Sequence, residues 1–187
     1  MKKTVLTFGL ISGAISALLM LVTVPFIDKI GFDRGVIVGY TGMVLSFLLV
    51  FFGIRSYREN VGDGYISFGR ALSVGLLIML ISCLCYVVTW EIVYFNFLPD
   101  FGDKYANYMT EKARASGASA EQIATQLEEM KKFKAMYDNP LINAALTFLE
   151  PLPVGLIMTL ISAFILRKRR PDLQNYADEV KENPVNV

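Results

Sequence analysis

Glu150-Pro151-Leu152-Pro153 is the stretch whose residue types and spacing could do chemistry within an otherwise greasy region of the chain. Neither proline carries an N–H, so the carbonyls of Thr147 and Leu149 lose their usual helical donors, and Glu150 is expected to be pushed toward extended backbone. A carboxylate and freed carbonyls then gather in one place. Asn143, Thr147 and Glu150, at spacings of four and three, add a polar face to the same helix. Such an acceptor-rich break resembles the interrupted helices that hold protons or cations in transporters. The competing reading is a proline-kinked helix in which Glu150 makes a buried hydrogen bond or ion pair and locks a bundle, with Arg34 or nearby lysines as partners. Glu91 is expected at a similar depth. It either shares a proton with Glu150 or sits as an interfacial residue, since the polar face of its own helix, Ser82, Thr89 and Asn96, points another way.

The composition narrows the chemistry further. The chain has no histidine, which removes the commonest general base and the commonest metal ligand. Cys83 and Cys85 are two residues apart, about 200° around a helix, so they cannot hold a metal jointly and are expected to pack as small hydrophobes. No nucleophile and base stand at a recognisable spacing, no span holds the paired aspartates of an intramembrane protease, and no cofactor or metal site is expected. Nothing points to nucleic acid.

The elements that must position these residues are membrane-crossing helices. Of 187 residues, 54% are hydrophobic, and the mean hydropathy is +0.47. Between Arg70 and Glu91 there is no ionisable group but cysteine and tyrosine, and at helical rise the two charges would stand about 31 Å apart, close to the thickness of a bilayer's hydrocarbon layer. Four spans are predicted, at about 4–24, 35–54, 68–98 and 141–166. Glu150 then falls about 25 Å along its helix from Arg167, inside the hydrocarbon layer. Trp90 and Tyr94 supply the amphipathic rings of an interface. Gly9, Gly13 and Ala17 recur every fourth position in the first span, which permits close approach of a second helix, within the chain or in a homodimer.

The expected fold is all-α: a four-span helical bundle over residues 1–170 with an inserted, extracytoplasmic helical hairpin at 100–139, then a disordered cytoplasmic tail at 171–187. In the hairpin, Ser119 and Gln122 make a capping box, Ile123, Leu127, Met130 and Tyr137 share a side, and Asn139-Pro140 ends the second helix. Residues 25–34 read as a short outer turn. Arg55, Arg58, Arg70 and the run Arg167-Lys168-Arg169-Arg170 cluster at alternate span ends, as topogenic charge or lipid headgroup contacts, and place both termini in the cytoplasm.

Several segments together carry a family resemblance: Gly39-Tyr40-Thr41-Gly42-Met43, Phe52-Gly53-Ile54-Arg55-Ser56-Tyr57-Arg58, Gly64-Tyr65-Ile66-Ser67-Phe68-Gly69-Arg70-Ala71, Tyr137-Asp138-Asn139-Pro140 and Thr147-Phe148-Leu149-Glu150-Pro151-Leu152-Pro153-Val154-Gly155-Leu156. On these residues the chain resembles the domain-of-unknown-function 4199 family of bacterial membrane proteins. The resemblance implies a bacterial inner-membrane location and four helices, and no activity.

The expected function is therefore that of a non-enzymatic scaffold or accessory subunit. Its partners would be the lipid bilayer and another membrane protein, or a homo-oligomer through the small-residue helix faces. The alternative is a proton- or cation-coupled carrier or channel for a small solute, with Glu150 as the coupling group.

Overall fold

The computed structural model describes residues 1–168; Arg169, Arg170 and the predicted tail lie outside the described residues. The helices are α1 (Lys2–Thr23), α2 (Ile27–Ile30), α3 (Phe32–Asn60), α4 (Phe68–Phe97), α5 (Phe101–Ala115), α6 (Ala120–Tyr137), α7 (Pro140–Leu149) and α8 (Leu152–Leu166). Four stretches are long and apolar enough to cross a membrane: Lys2–Ile30, Phe32–Asn60, Phe68–Phe97 and Pro140–Leu166. The all-helical bundle and its four spans thus stand as expected.

Boundaries differ where charge was taken as a stop signal. α3 runs on past Arg55 to Asn60, because a helix leaving an apolar layer keeps its backbone bonds and gains the Arg55–Glu59 pair at i,i+4 (3.1 Å). Residues 25–34 are not an open turn. A 3-10 turn over Val24–Phe26 carries α1 into α2, and the chain reverses at Gly31, whose φ of 81° suits a residue without Cβ.

α1 and α8 each pack against both α3 and α4. With lipid as solvent there is little hydrophobic drive between helices, so association rests on close fit. The small-residue stripe of α1 serves that fit within the chain: a Cβ on Gly13 would lie 2.5 Å from Cys85 Cβ, and Ser12 Oγ donates to the Ser46 carbonyl (2.8 Å) while bonding to Ser82 Oγ (2.9 Å). Below the middle of the bundle, Val50, Ile54, Val74 and Ile78 are fully buried. Outward-facing Leu10, Leu84, Ile157 and Phe164 are exposed, which is why α4 and α8 are apolar all round: one side meets protein, the other would meet lipid.

The two ends of the bundle carry different caps. At one end, Arg55, Arg58, Arg70, Arg167 and Lys168 gather, and Ile66 and Lys168 exchange backbone hydrogen bonds (2.9 Å each), closing the α3–α4 loop onto the end of α8. At the other end α5 and α6 form the expected hairpin, reversed at Gly117 (φ 83°), with the Ser119–Gln122 capping box in place. The expected side of α6, Ile123, Leu127, Met130 and Tyr137, is the half-buried one. Phe32, at the start of α3, is held by the hairpin rings Phe101, Tyr105 and Tyr108, with centroids 5.7, 5.5 and 5.0 Å away.

Candidate functional site

The fourth span breaks at Glu150 and Pro151, and that break makes the site. Glu150 itself stays in helical conformation (φ −63°, ψ −53°), as does Pro151 (φ −78°, ψ −13°), so the expected extended backbone at Glu150 is corrected. The preference of a residue before proline is overruled here by packing: a kink keeps both α7 and α8 against α4. The two halves differ in what else they touch. α8 lies against α3 as well as α4, whereas α7 lies against α4 and the end of α6. The hairpin-side third of α3 is thereby not covered by α7 as α8 covers the rest, and no residue of α3 before Met43 is buried.

The space so created is a cavity of about 620 Å³ between α1, α3, α4 and the hairpin. Its walls are apolar and aromatic, from Leu19, Met20 and Val36 to Trp90, Phe101 and Phe133. Glu150 is exposed into it and accepts a hydrogen bond at Oε2 from the Tyr86 hydroxyl (3.1 Å). Gly39 lines it with open space beyond: a Cβ built there meets no atom within 4 Å. Among the lining residues Glu150 is the only acid and Lys134 the only base, and Lys134 already pairs with Asp138 (3.2 Å).

The structure parts the residues that the polar face was expected to unite. Asn143 and Thr147 are buried and belong to a separate, closed network: the Trp90 indole N–H donates to the Tyr137 hydroxyl (2.9 Å), the two hydroxyls of Tyr137 and Thr147 are 3.3 Å apart, Thr147 donates to Asn143 Oδ1 (3.2 Å), and Asn143 Nδ2 donates to the Tyr137 carbonyl (3.1 Å). Every polar atom there has a partner, which marks the network as a fastening of α7 to α4 and α6. Burial pushes the Tyr137 hydroxyl above its ordinary pKa, so it stays protonated and can donate. The neighbouring residues work to the same end: Tyr94 donates to Asp138 (2.8 Å), Asn139 Oδ1 caps α7 by accepting from the Leu141 N–H (3.0 Å), and Pro140 occupies the first turn where a missing N–H does no harm.

Pro151 is fully buried and Pro153 exposed, so only the first lies at the floor of the bundle. Glu91 is half-buried with Oε1 lacking a hydrogen-bond partner, and no hydrogen bond joins it to Glu150 among the described residues. The hairpin lysines make no ion pair with Glu150 among the described residues. Lys104 pairs with Asp28 (3.0 Å) and Lys112 with Asp33 (2.8 Å), fastening the hairpin to α2 and α3. Of the basic group, Arg58 donates to the Leu166 carbonyl (3.3 Å), Arg70 lies over the Tyr57 ring (5.9 Å), Arg167 over Phe164 (4.3 Å) and Lys168 over Tyr65 (5.2 Å). No cluster of three metal-ligating side chains occurs among the described residues. Sequence reading missed Tyr86 and Gly39. The signal for Tyr86 was the four-residue spacing of Tyr86, Trp90 and Tyr94 along one face of α4, which reads equally well as an interfacial belt.

Residues 7–168 match the model of a family described as Protein of unknown function (DUF4199). The chain belongs to this family. The resemblance drawn from the segments above therefore holds, and four of those segments have visible work: Gly39 lines the cavity, Ile66 pairs with the end of α8, the Tyr137 to Pro140 run fastens and caps α7, and Glu150-Pro151 makes the break. No curated protein and no solved structure matches the DUF4199 chain.

Proposed function

We propose that the protein is a non-enzymatic, multi-pass protein of the bacterial inner membrane that holds a small amphiphilic molecule under its hairpin. In this role it serves another membrane component as an accessory subunit. The hairpin faces outward and both termini face the cytoplasm, a placement supported by Lys2-Lys3 before the first span and Arg167 to Arg170 after the last, and opposed by the six Lys and Arg of the hairpin, Lys104, Lys112, Arg114, Lys131, Lys132 and Lys134. The observation that carries the reading is the cavity itself: about 620 Å³, apolar walls, and one carboxylate at its floor. That size and character fit a small-molecule site, and the depth of Glu150 puts the floor in the hydrocarbon layer and the roof among headgroups. A carrier using Glu150 is favoured by that same depth. It is disfavoured by the tight layer of Val50, Ile54, Val74 and Ile78, which separates the cavity from the basic end.

Trp90 is the chain's single tryptophan and lines the cavity, so its emission reports occupancy. In maltoside micelles, 1-octanol is expected to shift Trp90 emission saturably, and Gly39→Leu, which fills open space, is expected to abolish the shift. The same shift in both proteins would mean that the alcohol acts from the micelle, and the cavity reading would fall. Reporter fusions at Gly117 and Val187 check orientation; cytoplasmic activity at Gly117 would reverse it.

A further inference from the structure

We infer that the cavity selects an organic ammonium: an alkylamine, free or as a lipid headgroup, held by Glu150 with its apolar body against the aromatic wall. The inference rests on the binding role proposed above and adds the charge of the ligand. Glu150 has two oxygens, and its hydrogen bond among the described residues is the one from Tyr86 to Oε2. A carboxylate accepts several such bonds, so it offers places to a further donor. The single basic lining group, Lys134, is engaged by Asp138 (3.2 Å) and lies near Asp103 (4.0 Å), so the cavity's own cation is already paired elsewhere.

The wall suits the same ligand. Trp90 meets Phe101 at 5.3 Å and 81°, Tyr94 meets Phe101 at 6.3 Å and 74°, and Tyr94 meets Tyr137 at 5.2 Å and 81°. Trp90, Tyr94, Phe101 and Tyr137 all line the cavity, and the face of an aromatic ring is its negative side. An ammonium is attracted to such faces, most strongly where water is excluded. An anionic amphiphile of equal length meets the Glu150 charge instead, and a neutral one gains only a hydrogen bond, so the site discriminates by charge.

The test compares n-octylammonium, 1-octanol and octanoate on the whole protein in maltoside micelles, which contain no amine, with Trp90 emission as the readout. Octylammonium is expected to saturate at a concentration at least about tenfold below octanol, with octanoate weakest, the size of preference one desolvated charge pair gives. Glu150→Gln is expected to remove the preference and leave the octanol response unchanged. Tyr86→Phe, which keeps the carboxylate, is expected to retain it. Equal responses to amine and alcohol in the natural protein, or a preference that survives Glu150→Gln, would overturn the ammonium inference while the octanol response still upholds the cavity. No saturable response to any of the three would overturn both. Added phosphatidylethanolamine that displaces octylammonium, where phosphatidylglycerol does not, assigns the ammonium to a lipid headgroup; displacement by neither assigns it to a free amine.

Discussion

Gly75 and Gly39, in the basic and the hairpin halves of this bundle, serve opposite purposes. At the basic half, Gly75 sits where a Cβ would come within 2.7 Å of Thr159 and 2.9 Å of Ile54, so the missing side chain lets three helices close. At the hairpin half, Gly39 borders open space, and the missing side chain leaves a hollow. The difference traces to one place in the fourth span. Below Glu150-Pro151 the helix packs against both α3 and α4, and above it against α4 and the end of α6, with no comparable packing on α3. A single break in one helix thus divides a bundle into a packed half that resists change and an open half that can hold something.

The largest effect that would sharpen this contrast comes from the same substitution made in both halves. Gly75→Leu must displace Thr159 and Ile54 and is expected to lower stability by about 3 kcal/mol or prevent folding. Gly39→Leu has room and replaces a helical glycine, so it is expected to be neutral or to stabilise by up to about 1 kcal/mol. Thermal melts in maltoside micelles measure both. Equal losses from the two would mean that the hollow is not a hollow.

A middle-sized effect tests whether Asn143 is a fastening or part of the ligand site. Asn143→Ala takes the side-chain donor from the Tyr137 carbonyl and the acceptor from the Thr147 hydroxyl, which keeps only the Tyr137 hydroxyl, and is expected to cost about 2 kcal/mol. The octanol response of Trp90 is expected to survive wherever the protein remains folded. If instead stability holds and the response vanishes, the network belongs to the cavity and the division between the two polar groups fails.

How far the sequence told these halves apart follows from the range of the forces involved. The spans were legible because a charge-free run between Arg70 and Glu91 is a local feature, and so was the Ser119–Gln122 capping box, which satisfies backbone groups within three residues; Asn139-Pro140 was read only as the end of α6, and its capping of the next helix came from the structure. Glu150 was legible as an unusual residue. Its partner was not, because Tyr86 is 64 residues away and is brought to it only by the packing of α7 on α4. The polar face of Asn143, Thr147 and Glu150 misled for the same reason. Spacing puts the three side chains on one side of the helix, but Tyr137 claims the first two, through its carbonyl and its hydroxyl, while Tyr86 takes the third. The cavity has no sequence signature at all, since it arises from what α7 does not touch.

The smallest expected effect concerns the roof. Lys112 and Asp33 form an exposed pair at 2.8 Å, and the hydrogen bond to Asp33 raises the lysine pKa above its ordinary value, with Tyr108 adding to the shift. A raised lysine contributes fully below its unfolded pKa and is lost as pH rises through the folded value, so this tie is complete at neutral pH and loosens only in the alkaline range beyond about 10.4. Removing it by Lys112→Met is expected to leave the melt at pH 7 almost unchanged, because an exposed pair adds little and salt screens it. Hydrogen exchange across α5, expressed as protection so that the base-catalysed rise of exchange with pH is removed, is the sharper readout: protection in the natural protein is expected to fall above that range toward the level that Lys112→Met shows already at neutral pH. The Phe32 cluster holds the same helix by aromatic contact that needs no charge at neutral pH, so the loss of protection in the variant there should be partial. Complete loss of protection in the variant at neutral pH would show that charge, rather than the rings around Phe32, keeps the hollow half covered.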